Sequence, residues 1–331
     1  MKRNFTTLFD KNYLPYALAL YESLETHVSS YKIYCFCMDD ESYEFMLNAN
    51  RKNIVPISYN QLETHFPELL VAKKNRSMVE YYFTTTSAVC SYIFDNFPDL
   101  ELLTYLDADL YFFSSPEPIF EELVNASVGI IPHKFNFFGK FFYEKYGKYN
   151  VGWISFKNDV SARKCLEDWR KNCLYWCYDR LENGQYADQK YLDYWPENYS
   201  GIHSIRAVGA NIAPWNVGRY NISLDFKTQV PKVNDQSLIF YHFASLKQLS
   251  ENEYTTNTCL YMTHLSSEIK DVIYLPFIAN VRKYNSELNV KVNVKNRADI
   301  IYIGLLKKIK NVYLGVSRVI FEDYIKVKSL K

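Results

Sequence analysis

Between residues 102 and 113 the chain reads LLTYLDADLYFF, an apolar run that delivers two carboxylates, Asp107 and Asp109, one alanine apart, to the end of an expected strand. Carboxylates facing one another at the rim of a sheet repel unless a cation or a set of hydroxyls meets them. A divalent metal does this, and hard carboxylate oxygens suit Mn²⁺ or Mg²⁺. A cation held there can bridge two phosphates and stabilise the charge that builds on a departing nucleoside diphosphate. A D-x-D triplet recurs by chance, so its weight comes from the strand that carries it. Two apart at a strand end, both acids can reach one site if the strand breaks its alternation after Leu106.

The elements that must position this pair are legible as an α/β pattern. Strand-like runs at 4–8, 31–38, 54–58 and 102–106 alternate with helical stripes at 14–26, 40–50 and 77–94. This order predicts βαβ units and a mostly parallel sheet covered on both faces. A short helix entered through Pro116 and Pro118 (115–123) follows, then strands at 127–132 and 152–156 and a helix at 160–177. Further strands are expected at 202–208 and 238–243, with a loop between them that contains Pro214, Trp215, Gly218 and Pro231. The chain holds only ten Gly and has neither G-x-G-x-x-G nor G-x-x-x-x-G-K. Backbone cradles for phosphate are therefore missing, and a bound diphosphate must be neutralised by metal and side chains.

At this point the sequence resembles the GT-A, Rossmann-like fold of nucleotide-sugar glycosyltransferases, most nearly glycosyltransferase family 8, which includes glycogenin. Four segments carry the resemblance. FTTLFDKNY at 5–13 is similar to the opening strand and loop of the family, which implies donor contacts from Thr7, Asp10, Asn12 and Tyr13. YLDADLYFF is similar to its metal motif, with Asp107 and Asp109 as ligands. YNVGWISF at 149–156 and YADQKYLDYW at 186–195 resemble the segments lining the transferred sugar, which implies donor contacts from Asn150 and Gly152 and catalytic roles for Asp188 and Gln189. IFYHFASLK at 239–247 resembles the closing motif of the family, which makes His242 the third metal ligand; Ser245 stands where that motif has Gly, and the Pro-Trp after its Lys is absent. On the helix before the metal strand the family presents Arg or Lys to the donor, whereas this chain has Thr84 to Thr86. His133, just after a strand, is a further candidate for the donor side.

The resemblance implies a hexosyl transfer, with retention of configuration, from a UDP-sugar to a glycan or lipid-linked glycan in cell-surface polysaccharide or lipopolysaccharide synthesis. Two other classes compete: a carbohydrate-binding module with a structural cation, and a nucleotidyltransferase. Individual residues also have plainer readings. Asp10 and Asn12 suit capping of the helix near Leu14, Asp188 suits capping of the helix through Leu192, and His242 suits a satisfied core histidine.

Residues 281–331 carry twelve Lys and Arg against four acids, so this tail holds +8 and the remainder −7. We expect a GT-A domain over 1–250 and a basic, partly amphipathic helical extension over 251–331. The apolar spacing at 300–324 suits either contact with an anionic membrane surface or packing on the protein. Basic clusters interleaved with aromatics are missing elsewhere, which excludes nucleic acid as the expected partner. The seven cysteines lack metal-type spacing and are expected to be reduced core residues. The apolar stretch of the opening MKRNFTTLFDKNY is too short for a secretion signal, and no run of about 18 uncharged apolar residues occurs. A cytoplasmic protein is expected, at the inner face of the membrane if the tail binds there.

Overall fold

The strands of the first half form where the apolar runs predict them. The computed structural model describes residues 2–288 and 316–328. The chain divides into two units: one takes residues 1–110, 115–133 and 141–207, the other 111–114, 134–140 and 208–331.

The strands along the chain to residue 204 are β1 (Arg3–Phe9), β2 (Tyr31–Cys37), β3 (Ile54–Ser58), β4 (Leu102–Leu106), β5 (Leu110–Phe112), of which 111–112 belong to the second unit, β6 (Val128–Pro132), β7 (Tyr149–Lys157) and β8 (Ile202–Ser204). All but β5 join one sheet in the order β3-β2-β1-β4-β7-β6-β8. β1 runs parallel to β2 and β4, and β2 parallel to β3. β7 is antiparallel to both β4 and β6, while β8 is parallel to β6. The sheet is thus mixed and mostly parallel, as expected. Its central strands read as continuous apolar runs because helices cover both faces.

Those helices are α1 (Leu14–His27), α2 (Asp40–Ala49), α3 (Tyr59–His65), α4 (Leu69–Asn75), α5 (Met78–Asn96), α6 (Glu117–Glu122), α7 (Lys140–Tyr146), α8 (Val160–Tyr175) and α9 (Trp195–Asn198). Their starts follow from local chemistry. Asp39 and Asp159 accept the backbone N–H of Ser42 and Ala162, and capping boxes form between Ser58 and Gln61 and between Ser77 and Glu80. The stripe of Cys165, Leu166, Trp169 and Cys173 on α8 is buried, with Trp169 edge-on to Trp195 at 5.5 Å. All seven cysteines are free and buried.

The second unit is built from short strands: β9 (Ile222–Leu224), β10 (Pro231–Val233), β11 (Gln236–Ser237), β12 (Phe240–His242), β13 (Lys247–Ser250), β14 (Glu253–Thr255) and β15 (Tyr324–Lys326). β9 to β11 form a small sheet in the stretch that the sequence reads as loop, and β12 pairs with β5. A π-helical turn joins α10 (Ser267–Ile269) to α11 (Leu275–Glu287). The helical reading of 300–324 lies outside the described residues as far as 315. Where described, its helix stops at residue 320, and Tyr324 enters β15 beside β14. Among the described residues, no helix is long and apolar enough to cross a membrane.

Candidate active site

Strand direction decides which residues meet. β1, β4 and β6 run the same way and β7 the other, so the C-terminal ends of the first three and the N-terminal end of β7 share one edge of the sheet. In open α/β sheets this is the edge at which ligands bind. It carries Asp10 to Tyr13 after β1, Asp107 and Asp109 after β4, His133 after β6, and Asn150 with Gly152 at the start of β7.

The β1–α1 loop is held by its own carboxylate. Oδ1 of Asp10 accepts the backbone N–H of Asn12 at 3.0 Å and of Tyr13 at 3.2 Å. Oδ2 accepts the Asn12 side-chain amide at 3.0 Å and the Tyr82 hydroxyl at 3.3 Å. Tyr13 occupies the N-cap of α1, without a side-chain cap bond. Asp10 therefore shapes the turn before α1, while the Tyr13 ring stays 48% exposed at its rim. Thr7 lies deeper on β1, and its buried Oγ1 has no hydrogen-bond partner among the described residues.

The two acids sit on a tight turn between β4 and β5. The N–H of Asp107 donates to the Gly152 carbonyl at 3.1 Å and that of Leu110 to the Asp107 carbonyl at 3.3 Å. β4 ends at Leu106, and a carboxylate oxygen of Asp107 comes within 4.8 Å of one of Asp109. Across from them the register of β6 and β7 shifts after Ile130, a bulge of the kind that re-aims side chains beside active sites. Asn150, paired with Ile131 at the edge of this bulge, accepts the Gly152 N–H at 3.0 Å. His133 is buried, and its backbone N–H donates to the Lys148 carbonyl at 2.9 Å.

Asp188 lies inside the same unit and is 3% exposed. Burial pushes its pKa up to about 8 and the Asp107 charge adds to the rise, while its own backbone N–H and the Thr86 hydroxyl pull it down. Its neighbour Ala187 adopts φ +47°, a left-handed conformation that costs about 1–3 kcal/mol in a non-glycine residue and tends to persist where function needs it. The Ala187 N–H donates to the Tyr178 carbonyl at 3.0 Å, and Trp169 Nε1 donates to the Asp188 carbonyl at 2.8 Å. Gln189 donates from Nε2 to the Tyr146 carbonyl at 2.9 Å. Neither residue caps the helical turn that follows: Gln189 holds the N-cap position without a side-chain cap bond.

His242 belongs to the second unit. It ends β12, is 4% exposed, and stands edge-on to the Trp215 ring at 5.2 Å. Three residues on, Ser245 adopts φ +67°, the left-handed region that favours glycine, and its carbonyl accepts the Asn257 side-chain amide. The backbone shape of a glycine is thus kept where the sequence has serine.

The donor set after β4 fits a cation. Two carboxylates lie on one turn, and burial, with the Asp107 charge added, raises the pKa of Asp188 beside them. Sequence reasoning passed over three residues that support this edge. They are Tyr105, whose hydroxyl donates to Asp107; Tyr82, which reaches Asp10; and Asp39, whose Oδ2 accepts the Lys11 N–H at 2.7 Å, while Thr86, of the threonine run noted in the sequence, meets Asp188. Tyr105 had a signal, because residues two apart on a strand share a face. Tyr82 and Thr86 had another, being four apart on one helix.

No family model matches the chain. YfnF, an uncharacterized protein of Bacillus subtilis, is 34% identical over 278 residues, which span 80% of this chain and 90% of YfnF. The chain belongs to the YfnF family. YfnD, also an uncharacterized protein of Bacillus subtilis, is 29% identical over 287 residues, 86% of this chain and 90% of YfnD. Among solved structures, the galactosyltransferase LgtC in complex with donor and acceptor sugar analogs matches with a TM-score of 0.51 at 15% identity, covering 82% of this chain and 100% of LgtC. The bifunctional glycosyltransferase WbbM matches with a TM-score of 0.51 at 13% identity, covering 87% of this chain and 51% of WbbM. This member of the YfnF family therefore has the GT-A fold.

Proposed function

We propose that the protein is a metal-dependent glycosyltransferase that moves a hexose from a UDP-sugar to a glycan or lipid-linked glycan acceptor, with retention of anomeric configuration, in cell-surface polysaccharide or lipopolysaccharide synthesis. The observation that carries this reading is the turn after β4, which puts Asp107 and Asp109 within 4.8 Å of each other at the ligand-binding edge of a GT-A sheet. His242 is the third ligand in this reading. Asp107, Asp109 and His242 would hold Mn²⁺ or Mg²⁺, which would supply neutralising charge for a leaving diphosphate.

The side chains do the rest. Asn12 and Tyr13 hold the base on the loop that Asp10 shapes, with Thr7 beneath. Asn150, Gly152 and His133 line the sugar. Asp188 accepts from sugar hydroxyls, and Gln189, with its amide nitrogen fixed on Tyr146, presents Oε1 toward the anomeric carbon. A carboxamide is a weak nucleophile, so no covalent enzyme intermediate is invoked. Residues 1–250 carry this chemistry, and the basic extension over 251–331 brings the enzyme to an anionic membrane at the inner face. Liposome flotation of the full chain, compared with a chain truncated after Asp299, tests that attachment, which equal flotation contradicts.

Release of UDP from a panel of UDP-sugars, followed with Mn²⁺ and with chelator, tests the main reading. Turnover that needs the metal supports it. A binding module releases none in either condition, and NMR of the product linkage decides retention.

A further inference from the structure

We propose that Tyr105 is a positioning residue whose phenol holds Asp107 in the orientation that takes up a divalent cation. The inference rests on the metal-dependent reading above and extends it to a residue that touches neither metal nor substrate.

The geometry begins on β4. Thr104 turns to one face of the sheet, where its hydroxyl meets that of Ser155 at 2.9 Å. Tyr105 takes the other face, the one that Asp107 shares two residues later. In register, Tyr105 lies between Thr6 of β1 and Ile154 of β7, so the middle of the sheet fixes its backbone on both sides. The residue is 3% exposed, and its hydroxyl donates to Oδ1 of Asp107 at 2.9 Å. A buried phenol needs a partner for its proton, and here the partner is one of the two acids.

Asp107 is half-buried at the end of a strand, where the chain has just left the ladder. A carboxylate there has two χ angles to settle. Donation to Oδ1 from a ring locked in the sheet settles them. Outer hydrogen bonds of this kind orient metal ligands, and their loss typically weakens metal binding about 10–100-fold.

The test titrates Mn²⁺ alone into the full chain, reading free Mn²⁺ by electron paramagnetic resonance. Tyr105→Phe removes one hydroxyl and keeps the ring. We expect the Mn²⁺ Kd to rise about tenfold or more, with the melting temperature in chelator close to that of the parent. Thr104→Val, which cuts a hydroxyl pair on the opposite face, leaves the Mn²⁺ Kd unchanged. A merely structural tyrosine gives the reverse: a lower melting temperature in chelator and a Mn²⁺ Kd within twofold of the parent, which overturns the proposal. If Tyr105→Phe fails to fold, 4-fluorophenylalanine in place of Tyr105 fills the same volume without a donor and is read in the same way. A parent chain that takes up no Mn²⁺ at all sinks the metal-dependent reading, and this inference with it.

Discussion

Asp188 and Asp107 approach closely enough inside one unit for the charge on the second to raise the pKa of the first, with burial as the larger cause. The raised value, about 8 against an ordinary 3.8, is also a statement about stability. A carboxyl with a folded pKa above its unfolded one stabilises most below the unfolded value. That contribution is lost as pH rises through the folded value. In chelator, the melting temperature of the parent should therefore fall between about pH 4 and pH 8 more steeply than that of Asp188→Asn, which cannot ionise. Thermal melts across this range check it, and parallel profiles would contradict it.

Gln189 is oriented by one bond, from Nε2 to the Tyr146 carbonyl. Gln189→Glu sets a carboxylate against that carbonyl and turns the side chain away. The expected result is a loss in kcat of at least about tenfold with the affinity for UDP little changed, because the lost geometry matters at the reacting carbon. Steady-state kinetics beside UDP titration separates the two, and a change in UDP affinity alone would refute the assignment.

Asp39 joins two loops. Oδ1 accepts the Ser42 N–H that begins α2, and Oδ2 accepts the Lys11 N–H in the β1–α1 loop, both at 2.7 Å. Asp39→Ala should cost about 1 kcal/mol through the lost cap and also weaken UDP binding by freeing the loop that carries Asn12. Asp39→Asn keeps an acceptor for one loop and should recover part of both. Denaturant unfolding and UDP titration measure the pair, and unchanged UDP affinity in Asp39→Ala would separate this loop from the base.

Ser245 holds a left-handed backbone that glycine adopts without strain. Ser245→Gly relieves about 1–2 kcal/mol of strain and adds about 0.5–1 kcal/mol of unfolded-chain entropy. A small net gain in stability, up to about 1 kcal/mol, is expected. Chemical denaturation reads it directly, and a clear loss would mean that the serine side chain contributes more than its strain costs.

The parts of the molecule that repeat a period were readable in advance. β1, β2, β3 and β4 lie where apolar runs sit between turn residues, and α1, α5 and α8 lie where the stripes return every three to four positions. β5, β9, β10 and β11 are two or three residues long and carry no period to read. α3 and α4 were passed over because their buried faces amount to two residues each. β7 starts at Tyr149 rather than 152 because the bulge around Asn150 interrupts its alternation. At the site, Asp107 and Asp109 stood out by type and spacing. The bond from Tyr82 to Asp10 spans 72 residues of sequence and depends on a side-chain torsion, which no local pattern encodes.

The central claim is that the acids after β4 hold a cation that a diphosphate needs. Isothermal titration of UDP into the full chain tests it most directly, with Mn²⁺, with chelator, and in Asp107→Asn and Asp109→Asn. The account predicts binding with Mn²⁺ that weakens at least about tenfold in chelator and in either variant. Equal UDP affinity in all four titrations would contradict it.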